Sequence, residues 1–115
     1  MIFFILSLLF QIQFPSLKTG EISFLKTYFK QIPVEMSSKS LNISFGVYGA
    51  KQAFYILKEK KFKIENFREE TIPNIPGKFK LFILKCNIEG NEFKIFLLMK
   101  NYKKRWLVQS FKEIP

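Results

Sequence analysis

KFKLFILKCNIEGNEFKIFLLMK, residues 78–100, decides the fold. It holds two apolar-rich runs of strand length, Lys78 to Ile88 and Glu92 to Lys100, on either side of Gly90-Asn91. That pair accepts the positive φ angles of a two-residue hairpin turn. A turn there sets Ile88 opposite Phe93, Cys86 opposite Ile95, Leu84 opposite Leu97 and Phe82 opposite Met99. Successive strand side chains point to opposite faces, so these eight form one apolar block, the face expected to lie beneath helices. The other face carries Phe79, Leu81, Ile83, Phe96 and Leu98 far from the turn, with Ile83 opposite Leu98. Lys85, Asn87, Lys94 and two Glu stand near the turn on that face. A monomer rarely leaves such a patch in water. Two short helices cannot cover both faces, so a homodimer through those five residues is expected.

Outward from the hairpin, Trp106 to Lys112 reads as a further strand, and Pro73-Asn-Ile-Pro76-Gly77 separates Lys78 from an earlier extended run, Phe62 to Thr71. Before that run, Gly49 opens a helix whose Ala50, Ala53, Phe54 and Leu57 form one apolar face. Thr19 and Gly20 start an earlier helix with Ile22, Leu25 and Phe29 on one side, ended by Pro33. Between the helices, Val34 to Ser37 and Leu41 to Phe45 read as a small hairpin. The expected fold class is α+β: two helices packed on a curved antiparallel sheet, in one domain spanning residues 17–115.

Residues 1–16 stand apart. Ile2 to Phe10 is IFFILSLLF, apolar except for Ser7, and Pro15 ends any helix there. The run is shorter than the roughly 20 apolar residues of a membrane span, so no stable span is expected. It reads as a signal peptide, which implies export to the periplasm or beyond. No Lys or Arg precedes Lys18, and no cleavage point has small residues at both required positions. A buried helix of a cytosolic protein is the other reading.

The chain has no His and no Asp. Ser-His-Asp and Cys-His nucleophilic sites and the common zinc ligand sets are thereby excluded, and no catalytic residue, metal or cofactor is expected. Glu69 and Glu70 are neighbours in a strand and would point to opposite faces. The lone Cys86 falls on the apolar face, where burial suppresses the thiolate. The net charge of +10 invites a nucleic-acid reading, yet all basic residues but Arg68 and Arg105 are Lys, scattered from Lys18 to Lys112 with no recognition motif. No nucleic-acid partner is expected. Tyr28, Tyr48, Tyr55, Trp106 and Gln109 are amphipathic groups able to line a ligand pocket, although aromatic side chains equally serve as core.

The element order resembles the nuclear transport factor 2-like superfamily. Gly46-Val-Tyr48-Gly-Ala-Lys51-Gln52-Ala53 with Ile56-Leu57, and the closing Arg105-Trp-Leu-Val-Gln109-Ser-Phe-Lys-Glu-Ile114, are similar to segments of a bacterial domain-of-unknown-function family of small exported proteins with that fold. Gly49 stands where that family usually has Ser. The resemblance implies a cone-like cavity between helices and sheet and an exported, non-enzymatic binding or assembly module, and supplies no catalytic residues. The same fold also hosts small enzymes of the ketosteroid-isomerase or dehydratase kind, which would here need a Glu base in the cavity. A cytosolic nucleic-acid binder is the third reading. Deleting residues 1–16 is expected to leave a soluble protein with a cooperative thermal transition by circular dichroism. Aggregation or loss of that transition would assign the segment to the core.

Overall fold

A computed structural model describes residues 16–70 and 77–115. The apolar stretch at residues 2–10, Pro15 and the break at residues 73–76 lie outside the described residues. A 3-10 helix, Ile22–Tyr28, precedes β1 (Val34–Ser38), β2 (Ile43–Tyr48), α1 (Ala50–Lys60), β3 (Lys63–Glu70), β4 (Phe79–Ile88), β5 (Asn91–Tyr102) and β6 (Arg105–Glu113). The strands form one sheet in the order β2-β1-β6-β5-β4-β3.

The first helix winds as 3-10 because its apolar contacts recur every three residues. Ile22 and Leu25 are buried, and Glu21 makes no side-chain cap to start an α-helical turn. In α1, Ala53, Phe54 and Leu57 face the core, and Lys61 ends the helix in the left-handed conformation at φ 56°. The two helices cover one face of the sheet. Leu25, Phe54, Leu57 and Phe62 pack there with Leu84, Cys86, Ile95, Leu97, Met99 and Phe111 in a single core cluster.

The sheet is mixed, which corrects the expectation of a wholly antiparallel one. β3 to β6 form an antiparallel meander, and β1 and β2 form the expected small hairpin. At the end of the meander β6 runs alongside β1 in parallel, with Glu35 opposite Ser110 and Ser37 opposite Lys112. β2 already occupies the other edge of β1, so this pairing alone joins the two halves of the sheet. A clamp locks it. The Ser38 hydroxyl, the Ser40 N–H and the Ser40 hydroxyl all donate to the Glu113 carboxylate, at 2.8, 2.7 and 2.7 Å.

The central register also differs from the expected one. The turn residues are Glu89 and Gly90, at φ 50° and 84°, and Ile88 opposes Asn91. Every partner is therefore displaced by two. Cys86 faces Phe93, Leu84 faces Ile95, Phe82 faces Leu97, Leu98 faces Leu81, and Ile83 faces Phe96. A turn at Gly90-Asn91 would set Glu89 directly against Glu92, and like charges so placed repel. The observed turn avoids this. The Gly90 N–H donates to Asn87 Oδ1 at 2.9 Å, and Lys85 reaches Glu92 at 2.9 Å. A slip of two residues preserves the faces, because the side-chain period is two. All eight inner residues stay on the helix side, seven of them buried and Ile88 partly so.

Two predictions follow from this packing. Burial, aided by Glu65 and Glu113, pushes the Cys86 thiol up to about 12, so native protein should resist a thiol reagent at pH 8 and react stoichiometrically once denatured. Rapid native labelling would mean that the face is open. For Glu113, partial burial pushes the carboxyl up, but the bonds from Ser40 and Ser38 and the nearby Lys39 outweigh it and hold it below its usual value. A depressed folded-state pKa contributes stability that is present above the unfolded pKa and is lost as pH falls through the folded one. Glu113→Gln should therefore cost about 1 kcal/mol at pH 7, discounted for solvent exposure, and nothing in strong acid, as read from urea midpoints across pH.

Candidate functional site

The five residues singled out in the sequence do not converge on one cavity. Tyr28 ends the 3-10 helix, where its hydroxyl accepts the Ser16 N–H at 2.9 Å. It shares a cleft of about 180 Å³ with Trp106, which is largely buried on the inner side of β6 with Lys80 Nζ 5.5 Å from its ring centre. Tyr55 stands on α1, 45% exposed, in a second cleft of about 430 Å³ between the two helices. Tyr48 closes β2, and its hydroxyl donates to the Ser44 carbonyl at 2.7 Å. Gln109 occupies a β-bulge between the Leu98–Ser110 and Met99–Val108 pairs, and its Oε1 is buried without a hydrogen bond among the described residues. Tyr48 and Gln109 line neither cleft.

The space between helices and sheet, expected as a cone-like cavity, is occupied by core side chains, and the two clefts lie at its margin. Among the described residues no Glu is buried, the buried polar side chain being Ser38. Glu113 is held below its usual value and not raised, the reverse of the shift that readies a carboxylate to abstract a proton at neutral pH. No three Glu or Cys among the described residues are arranged to hold a metal ion. No helix among them is long and apolar enough to cross a membrane.

The clefts have a common chemistry. Phe29, Phe54 and Tyr55 wall the larger one, with Phe29 and Phe54 centroids 5.6 Å apart and Phe54 and Tyr55 6.1 Å apart. Lys26, Lys30 and Lys51 also line it. The smaller cleft adds Lys104 and Arg105 and shares Lys30. No Glu lines either one. Sequence reasoning missed these cations as a group because they come from three separate segments, and only the packing of the 3-10 helix on α1 and β6 unites them.

On the opposite, helix-free face, Leu81, Ile83 and Leu98 are half-buried and Phe96 is 37% exposed. Phe45 and Val47 of the edge strand β2, at 69% and 68% exposed, add a second apolar zone that the sequence did not reveal. The alternation in Ile43-Ser-Phe-Gly-Val-Tyr48 was its available signal, but that β2 is an edge strand depends on the parallel β1–β6 pairing. Between the zones run Glu35, Ser110 and Lys112, with Lys112 bonded to Glu35 at 2.8 Å and lying 5.3 Å from the Phe45 ring centre.

A solved structure of a DUF4783 family protein from Bacteroides ovatus superposes on the chain with a TM-score of 0.55 at 12% identity, covering 81% of this chain and 84% of that one. In fold, the chain is similar to that protein. A solved NTF2-like protein of unknown function from Shewanella baltica superposes at 0.47 with 14% identity, covering 81% and 77%, and at that score the likeness carries no argument. No family model matches the chain, and no curated protein matches it. The resemblance to a bacterial domain-of-unknown-function family therefore holds at the level of an α+β fold. The loss of one exposed aromatic from the larger cleft should be mild for folding: Tyr55→Ala is expected to change the urea midpoint by less than about 0.5 kcal/mol equivalent. A loss of several kcal/mol would make Tyr55 a core residue.

Proposed function

We propose that the protein is a non-enzymatic binding and assembly module, exported by its apolar amino-terminal segment, that pairs with a second copy through the helix-free face of its sheet. The observation that carries the reading is the pair of apolar zones on that face, Phe45 with Val47 and Leu81 with Ile83, Phe96 and Leu98. Three strand spacings separate β2 from β5, about 14 Å. A two-fold axis through the polar strip of β1 and β6 lays each zone on the other zone of the partner, which is the self-complementarity that a closed dimer requires.

At +10 the chain repels its own copies over most of its surface. On this face Lys85 pairs with Glu92, Lys112 with Glu35 and Arg68 with Glu70, while Lys94 and Lys100 form no such pair among the described residues. Those matched pairs lessen the repulsion between two copies that meet there. Each buried large apolar side chain contributes about 1.5–3 kcal/mol, against an association cost of about 4–15 kcal/mol, so a weak to moderate dimer is expected. The absence of His and Asp, together with the depressed Glu113, supports a role in binding over one in catalysis.

Phe45→Lys with Val47→Lys, both at well-exposed positions, should convert the dimer to monomer by light scattering without altering the thermal transition. Ile83→Lys with Leu98→Lys should do the same. A wild type that is monomeric at high micromolar concentration would overturn self-association.

A further inference from the structure

We propose that the two clefts joined at Lys30 form one binding site for a small aromatic anion, its ring against Phe29, Phe54 and Tyr55 and its carboxylate, sulfonate or phosphate among Lys26, Lys30 and Lys51. This rests on the binding half of the reading above and is independent of the dimer, because the site lies on the helix side of the sheet.

Lys80, Lys85, Lys112 and Arg68 each pair with a Glu. Lys26, Lys30, Lys51, Lys104 and Arg105 form no such pair among the described residues. The sequence provides no local relief either. No acidic residue occurs between Glu21 and Glu35, or between Glu35 and Glu59, or between Glu92 and Glu113. These acid-free stretches are the ones that supply the clefts, and the fold gathers them at one end of the helix pair.

Cations gathered without counter-charge repel one another, and low-dielectric walls focus their field into the cleft. An anion seated there relieves that repulsion. The aromatic wall selects the rest of the ligand. A bare ion would leave about 430 Å³ of cleft unfilled, whereas a planar ring buries its faces against Phe54 and Tyr55, the apolar lining with few polar groups that small-molecule sites share. Lys104 and Arg105 in the adjoining cleft offer a second anionic contact to a longer ligand.

The probe is 8-anilinonaphthalene-1-sulfonate, with uncharged N-phenyl-1-naphthylamine carrying the same ring system without the sulfonate. Fluorescence titration should give saturable binding at one site per chain, at least about tenfold tighter for the sulfonate and weakened by salt. Lys30→Glu and Lys51→Glu, both at exposed positions, should each weaken sulfonate binding about tenfold or more, and Lys51→Gln less. Lys94→Glu, exposed on β5 away from the clefts, should leave it within about twofold. Circular dichroism and light scattering on the same samples report folding and dimerisation separately, so failure of this site and failure of self-association are distinguishable. Equal binding of the neutral ring, no saturable binding, or equal losses from Lys94→Glu and Lys30→Glu would overturn the proposal.

Discussion

Packing of the alternate side chains of β4 and β5 against the two helices is the interaction on which the rest of the structure depends. Leu84, Cys86, Ile95, Leu97 and Met99 are fully buried on that side. Strand alternation then commits Leu81, Ile83, Phe96 and Leu98 to the other side, where no described helix lies. The helices are short, and by closing one interior they leave the reverse of the sheet to water or to a partner. The segregation of function follows from this geometry. Anything held between helices must sit at the margin of a filled core, and anything that assembles through the sheet must do so on its reverse.

The parallel pairing of β1 with β6 is the second constraint. It brings the β1–β2 hairpin onto the meander and makes Phe45 and Val47 the far edge of the outer face. Its strength depends on a carboxylate that accepts three hydrogen bonds from Ser38 and Ser40. The opposite edge is managed differently. Gly20 pairs with Ile64 through two 2.8 Å backbone bonds and covers the start of β3, and the remainder of that strand carries Glu65, Arg68, Glu69 and Glu70. Charged edge strands resist edge-to-edge association. β2 has no charged residue, so the apolar surface is concentrated at one side of the sheet.

Much of this was legible in the residues. Both helices, all six strands and the face of the central hairpin could be read from periodicity, and the faces survived an error in the turn because a two-residue slip leaves parity unchanged. The turn itself was misread because Gly90-Asn91 satisfies φ requirements as well as Glu89-Gly90 does. Asn87 and the repulsion between Glu89 and Glu92, which decide between them, act across the strands and not along the chain. The parallel β1–β6 pair was illegible for a related reason: strands about 70 residues apart carry no local signal of their partner. Tyr55 and the pair Tyr28 and Trp106 were found as amphipathic aromatics, but their distribution over two clefts and the lysines beside them depend on helix placement, which composition does not encode.

The central claim is that one face of the β4–β5 hairpin is permanently closed and the other is open until a second copy covers it. Methyl NMR with a soluble paramagnetic agent tests this on Ile, Leu and Val side chains at low and high protein concentration. The account predicts that Leu84, Ile95 and Leu97 stay sharp throughout, whereas Val47, Ile83 and Leu98 broaden in dilute protein and recover as concentration rises. Protection of Val47 and Leu98 at every concentration, or broadening of Leu84 and Leu97 at any, would contradict it.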